Sequence, residues 1–378
     1  MKRGPSDDAL ARADGNQKRQ RTHIQSPDLH IGNQDHLANA NGDNACAIDY
    51  FAQHGKWPDN VASAVSSLEI SAEELESERR DPKQPSYQDD EYDELLAGMG
   101  SYLKDHELGL TEASLALCEN FLTQKRKVPG NTLFRDDIFD HTQFRLEIAN
   151  EGWILREIAP LLIPSPIRLA IFGATNLECV SELVNGVWDM CNSLTRPPPE
   201  PGYTIGFLDL SFNSRGCKLL PFVGKCSETS HFKATADVFF PFLTCEVDCS
   251  TYGLYYSRRR NAHSMTLAVR GVVELFRLVN REKEVDREIL GWSAELERDI
   301  LVISGHYAVI NGPTQEYYRH KVLSLPWRGQ KWLPYQFFTN LHHDWIPKHY
   351  ERICSAIDDL PNGVNFGLDD DFEKELPM

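Results

Sequence analysis

The sequence predicts an α/β fold: a central mixed β-sheet flanked by helices, with a helical extension on its N-terminal side. Three observations carry this expectation. Met265, Ala268, Val269, Val272, Val273, Phe276 and Val279 recur at the 3.6-residue period of a helix with a broad apolar face. Residues 203–210, 238–247, 300–304, 307–310 and 317–325 are instead short aromatic and β-branched runs, which read as strands. Ahead of the first strand lies Arg196-Pro-Pro-Pro-Glu-Pro201, a stretch that ends whatever element precedes it.

Four regions follow in order. Residues 1–44 are rich in Asn, Asp, Gln and Gly and poor in large apolar side chains, which predicts a disordered tail. Residues 45–91 read as a mostly disordered linker, interrupted by Ile48, Tyr50, Phe51 and Trp57, enough apolar surface to dock one short segment. The α/β domain with its helical extension spans 92–360, and 361–378 is an acidic tail carrying Asp369-Asp-Asp-Phe-Glu-Lys-Glu375.

Within the domain, Leu95, Leu96 and Met99 open the ordered part, and a helix capped by Thr111 carries Leu115, Leu117, Phe121 and Leu122. A second helix spans 147–162 and stops at Pro164. Leu177, Val180, Val184, Val187, Trp188 and Cys191 fall at helical spacing, with Glu178, Glu182, Asn185 and Asp189 opposite, so 177–192 is expected to be an amphipathic helix. Asn261 is the expected N-cap of the long helix, and Gly305 and Asn311-Gly312 are the expected turns between the last strands. Helices over 335–345 and 347–358 close the chain.

A chain of 378 residues with 41% hydrophobic side chains has material for a sizeable core. Its formal net charge of -17 opposes nucleic-acid coating through the bulk field, although local basic patches override such a field at short range. Nine scattered cysteines without a Cys-x-x-Cys pair argue against both a disulfide framework and a zinc finger, and point to a reducing compartment. No run approaches the roughly 18 consecutive apolar residues of a membrane span, so no membrane partner is expected. Lys2-Arg3 and Lys18-Arg19-Gln20-Arg21 resemble a two-cluster nuclear import signal, against the plainer reading of a charged tail; the expected location is nuclear or cytoplasmic.

One set of words reaches further. Residues 101–110, Leu133-Phe-Arg-Asp-Asp137, Phe240-Pro-Phe-Leu-Thr-Cys-Glu-Val247, residues 261–279, Gly305-His-Tyr-Ala-Val-Ile310 and Arg352-Ile-Cys-Ser-Ala-Ile357 resemble a fungal family of uncharacterised proteins with a PD-(D/E)xK nuclease-like domain. The resemblance covers about 45 to 360 and implies a restriction-endonuclease-like core. In such nucleases an Asp on one strand and a Glu on the next hold Mg²⁺, and a Lys two residues after the Glu stabilises the developing charge. The resemblance places the Glu at Glu246, puts Asp248 at the Lys position and puts Gly202 where the first Asp belongs. Glu246 and Asp248 are therefore the candidate catalytic and metal-binding residues, while two departures from the pattern predict a pseudoenzyme without a cofactor. The plain reading of Glu246-Val247-Asp248 is two acids at an exposed strand end.

Arg258, Arg259, Arg260 and Arg270 are candidate nucleic-acid contacts, because Glu274 is the sole acid from 258 to 281. Arg270, Glu274, Arg277 and Arg281 fall along one helical face, and the alternative is an intrahelical network with Glu274 plus bridges from the arginines to the acidic parts of the domain. Two further readings stay open: a working Mg²⁺-dependent nuclease that recruits Asp209, Asp237 or Glu182, with Lys225 or Lys233 as cation, and a protein-binding domain that uses the helices of 101–163.

Overall fold

The computed structural model describes residues 85–223 and 229–361. Helices α1 (Tyr92–Gly98), α2 (Glu112–Thr123) and α3 (Phe139–Glu147) come first. The next helix begins as α4 (Glu151–Trp153), widens through a π-helical stretch (Ile154–Ile158) and ends as α5 (Ala159–Leu162); α6 (Pro166–Ile171) follows. Strands β1 (Val180–Val184) and β2 (Tyr203–Leu208), helix α7 (Gly216–Val223), strand β3 (Val238–Val247) and the 26-residue helix α8 (Gly253–Leu278) form the middle of the domain. Strands β4 (Gly291–Leu296), β5 (Ile300–Asn311) and β6 (Thr314–Pro326) precede α9 (Trp332–Asn340), a π-helical stretch (Leu341–Trp345) and α10 (Ile346–Asp358).

The six strands make one mixed sheet in chain order. Every neighbouring pair is antiparallel except β3 and β4, which are parallel. A parallel pair needs a long crossover, because the chain must return to the end from which it started. Helix α8 is that crossover, and it lies across one face of the sheet.

The two faces differ in chemistry because side chains alternate along each strand. One face presents Leu243, Cys245, Trp292, Ala294 and Ile303, all fully buried. The Trp292 ring meets Phe121 of α2, Phe337 of α9 and Trp345 at centroid distances of 5.9, 5.6 and 5.9 Å. Each such side chain contributes about 1.5–3 kcal/mol by leaving water. The face beneath α8 presents Thr244, Glu246, Ser293, Glu295, Ser304, His306 and Arg319, also buried. Helix α8 is covered almost all round, with 20 of its 26 residues buried, so it is an inner layer and not a surface helix.

Several elements depart from the sequence expectation. Residues 180–184 form strand β1, antiparallel to β2, and not part of a helix over 177–192. The Asn185-Gly186 turn decides this: Asn185 adopts φ of 49° and its amide donates to the Gly202 carbonyl, which closes the β1–β2 connection. Asn261 is not an N-cap, since α8 starts eight residues earlier at Gly253. Gly305 does not turn the chain; it sits within β5, where a Cβ would lie 2.7 Å from Ile289 Cδ1. Strand β4 was not anticipated, because Gly291-Trp-Ser-Ala-Glu-Leu296 is short and half polar. The Thr111 cap is present, its side chain accepting from the Ser114 amide. Residues 1–84 and 362–378, and with them the expected N-terminal tail, the basic clusters, the linker as far as residue 84 and nearly all of the acidic tail, lie outside the described residues, whereas 85–91 are described and pack against Arg259 and His263. The seven described cysteines are free, and no described helix is long and apolar enough to cross a membrane.

Two consequences are testable. A Cβ on Gly271 of α8 would stand 2.3 Å from the His231 carbonyl oxygen, a backbone atom that cannot swing aside. Gly271→Ala is therefore expected to lower stability by about 1–3 kcal/mol in urea titrations, despite alanine's better helix propensity. Second, burial holds five histidines neutral: His231 and His342 are pushed down to about 3 and His263 to about 4, while His306 and His349 fall well below the ordinary value. The unfolded chain takes up these protons below pH of about 6.5, so their stabilising share is complete above that pH and is lost as pH falls. The unfolding free energy from urea titrations should drop steeply from pH 7 to pH 5, by about 1.4 kcal/mol per pH unit for each histidine that titrates, and the midpoint with it; a flat midpoint would contradict this.

Candidate functional site

The site is built by the turn from β3 into α8. Asp248 follows the last residue of β3, and its Oδ1 accepts from the Ser250 amide at 2.9 Å, a local bond that starts the turn. Gly253 completes it, for a Cβ there would stand 2.3 Å from the Asp248 carbonyl oxygen. The tight turn folds α8 back over the strand end from which it came. Arg260, seven residues into the helix, thereby reaches both acids: its Nη2 donates to Asp248 Oδ2, and its Nη1 lies 3.8 Å from Glu246 Oε2.

The two carboxylates respond differently. Glu246 is buried, and burial first, then the charges of Glu295 and Asp248, push its carboxyl up to about 8 against the opposing pull of Arg260. Its hydrogen bond from the Gly202 backbone does not compensate. Burial also acts on Asp248, but hydrogen bonds from Ser250 and Arg260 outweigh it and hold this carboxyl below its ordinary value. Near neutral pH, Asp248 is thus the ionised partner of Arg260 and Glu246 largely carries a proton.

A network that sequence reasoning missed supports these residues from below. Glu295 is the register partner of Glu246 on β4 and pairs with Arg319 of β6 at 2.5 Å. Asn261 of α8 accepts from Thr244 Oγ1 at 2.7 Å and donates to Glu295 Oε1 at 2.8 Å and to the Ala294 carbonyl at 3.0 Å. Arg319 Nε donates to Ser304 Oγ, and His306 Nε2 meets Ser293 Oγ at 2.8 Å. The available signal was polar residues at alternate positions in strands that are otherwise apolar: Ser293 and Glu295, Ser304 and His306.

The four candidate arginines do not form one surface. Arg260 is spent on Asp248 and Glu246. Arg259 is fully buried under the segment that leads into α1. Arg258 is half-buried, and Arg270 lies further along the helix near His231 and Tyr317. Arg277 donates to the Pro313 and Gly312 carbonyls of the β5–β6 turn, and Arg281 pairs with Glu284 and Asp359. The expected face of Arg270, Glu274, Arg277 and Arg281 is therefore divided among separate internal partners.

The residues expected to rescue a metal site stand elsewhere. Asp209 follows β2 at the end where Leu208 pairs with Val238, whereas Glu246 is at the Tyr203–Cys245 end. Lys233 and Asp237 share the Asp209 end. Glu182 pairs in register with Ile205, which pairs with Leu243, so it projects from the face opposite Thr244 and Glu246. There it accepts from Ser165 Oγ and the Ile167 amide at the start of α6. Lys225 lies outside the described residues. The site does not fit Mg²⁺: the Arg260 guanidinium already directs positive charge at both carboxylates and the Gly202 amide at Glu246, and Gly202 supplies no side-chain ligand. Among the described residues no group of three or more His, Cys, Asp or Glu side chains is placed to hold a metal ion.

The profile of the family described as "Domain of unknown function (DUF7924)" matches residues 138–357 of this chain. That span contains the whole sheet, α8 and the acid–arginine site. No curated protein and no solved structure matches the chain.

The raised Glu246 value yields a signed prediction. An acid whose folded value lies above its unfolded one contributes stability below about pH 4.5 and loses it as pH rises through about 8. Glu246→Gln, which keeps the shape and removes the titration, should therefore gain stability over the native chain in thermal melts at pH 9 more than at pH 5. The scale is about 1.4 kcal/mol for each pH unit between the folded and unfolded values. An equal difference at both pH values would show that Glu246 titrates normally.

Proposed function

We propose that this chain, which belongs to the DUF7924 family, is a degenerate PD-(D/E)xK nuclease-like domain that binds nucleic acid without cutting it. The fold supports the reading by its succession: antiparallel strands β1 to β3, a long helix, then a strand returning parallel beside β3, with Glu246 and Asp248 at the end of that third strand. The single observation that carries the loss of catalysis is Arg260. Its guanidinium lies against both acids, where a hydrolytic centre needs a divalent ion to polarise phosphate and activate water. A guanidinium offers charge but has no coordination site for water and does not lower a bound water's pKa.

Glu246 also fails as a general base near neutral pH, since it already holds the proton it would have to accept. With Gly202 in place of a carboxylate and Asp248 in place of a lysine, no group at the site performs the three tasks of ligand, base and charge stabiliser together. What remains is a rigid acid–arginine knot beneath the arginines at the start of α8.

The test is direct. Purified protein incubated with single- or double-stranded DNA and millimolar Mg²⁺ or Mn²⁺ is expected to leave both intact. Cleavage that disappears in Glu246→Gln and in Asp248→Asn would overturn the reading, because it would require those acids to hold a working metal.

A further inference from the structure

We infer that Tyr252, Tyr255, Arg258 and Arg259 form a seat for single-stranded nucleic acid, and that residues 85–98 are an acidic strap lying over its arginine end. The inference rests on the binding reading above and adds its substrate class and its control.

The sequence of the turn supplies the seat. Tyr252-Gly-Leu-Tyr-Tyr-Ser-Arg-Arg-Arg260 sets three aromatic side chains directly ahead of three basic ones over about two helical turns. Tyr252 is 64% exposed and Tyr255 37% exposed, and the Arg259 guanidinium stacks 4.1 Å from the Tyr255 ring centroid. Exposed aromatic rings beside arginines suit unpaired bases, which stack on the rings while phosphates meet the guanidinium groups; a duplex hides its base faces.

The strap is the chain's own anion on that seat. Between Pro85 and Gly98 it carries Asp89, Asp90, Glu91, Asp93 and Glu94 and no lysine or arginine. Arg259 Nε donates to Asp93 Oδ1 at 2.7 Å, Nη1 to the Tyr87 and Asp89 carbonyls at 2.9 and 2.6 Å, and Nη2 to the Asp90 carbonyl at 3.3 Å and to Tyr255 Oη. Every donor of the guanidinium fork is thus met by oxygen, four of the five acceptors coming from the strap. Tyr87 Oη adds a 2.9 Å bond to His263 Nδ1, one turn further along the same helix face.

The strap is separable from the rest. Its buried anchors, Tyr92 and Leu96, form a small cluster with Ala262 that is distinct from the main core. The chain is pinned again just beyond it, where the Tyr102 amide donates to the Tyr317 carbonyl at 2.9 Å and the Tyr317 amide to the Gly100 carbonyl at 2.7 Å. Gly98, with open space around its Cβ position, and Gly100, at φ of 72°, stand between the two anchored parts. The strap can lift about this pair while β6 keeps its partner.

The experiment uses the full chain in EDTA, so that binding is read apart from any cleavage, with fluorescein-labelled oligo(dT) of about 20 nucleotides at low salt. Tyr87→Phe/Asp93→Ala removes the Tyr87 Oη bond to His263 and the Asp93 carboxylate that accepts from Arg259, and no residue of the seat. It should bind oligo(dT) about tenfold more tightly than the native chain, the scale of one charged hydrogen bond released from competition. Tyr252→Ala added to that variant should lose about tenfold, and a peptide of residues 85–98 should displace the oligonucleotide. Hydrogen exchange should show the strap amides opening in the variant, and in the native chain when oligo(dT) is added. Faster strap exchange with unchanged affinity would overturn the strap, and so would strap amides in the native chain that stay protected when oligo(dT) binds. Equal affinity for duplex DNA or polyglutamate would overturn the assignment to single strands. DNA cleavage with Mg²⁺ would refute the non-catalytic reading while leaving the affinity shift in EDTA intact.

Discussion

Three carboxylates at the joined ends of β3 and β4 face a helix and not water, and the fold has to neutralise them from within. Glu246, Asp248 and Glu295 share this region with two guanidinium groups, those of Arg260 and Arg319. A buried acid without a partner costs several kcal/mol, so two cations for three acids leave one charge too many. The geometry says which acid goes short: Asp248 and Glu295 have close arginine contacts, while Glu246 stands 3.8 Å from its nearest guanidinium nitrogen. Glu246 answers by keeping its proton up to pH of about 8. The same shortage that raises its pKa leaves Glu246 largely protonated near neutral pH, so the charge balance of the site and its protonation state have one cause.

That constraint also explains why α8 is an inner layer. A polar sheet face can be buried only under a helix that returns polar groups in register, and Asn261 does so by bridging Thr244 and Glu295 while its own helix continues past it. Close approach then demands glycine where backbone meets backbone, at Gly253 against Asp248 and at Gly271 against His231. With its inner side committed to the sheet, the helix needs an outer cover as well. Part of that cover is the satellite cluster of Tyr92, Leu96 and Ala262.

How much of this was legible in the sequence depended on whether one residue type served one purpose. β3 was read to its ends because Val238–Cys245 is dominated by aromatic and β-branched side chains, and all ten of its residues are buried in the sheet. Helix α8 was read from residue 261 onward, where the apolar period is clean, and missed over 253–260, where its residues answer to the strap and the acids instead of to a core. Residues 177–192 misled because apolar side chains at helical spacing are equally satisfied by a short strand followed by an irregular loop, in which Trp188 reaches Thr204 through its indole nitrogen at 3.1 Å. Glu246 and Asp248 were singled out as candidates through resemblance. Arg260 as their partner, and Glu295 and Arg319 as neighbours, were not, since pairings across 12, 49 and 73 residues of chain from Glu246 or Asp248 leave no local signature.

The net charge of -17 looks like an objection to a nucleic-acid partner, but it is a statement about the far field. At physiological ionic strength that field is screened within about 8 Å, so what a strand of phosphates meets is the local balance at the surface it touches. At the start of α8 that balance depends on the strap. With residues 85–98 in place, the segment carries five acids and sets the Asp93 carboxylate against Arg259; with it lifted, Arg258 and Arg259 stand beside exposed Tyr252 and Tyr255, while Arg260 stays bound to Asp248. Moving one segment therefore changes the sign of the surface without altering the protein's total charge, and an acidic chain can keep a basic seat closed by the same residues that make it acidic.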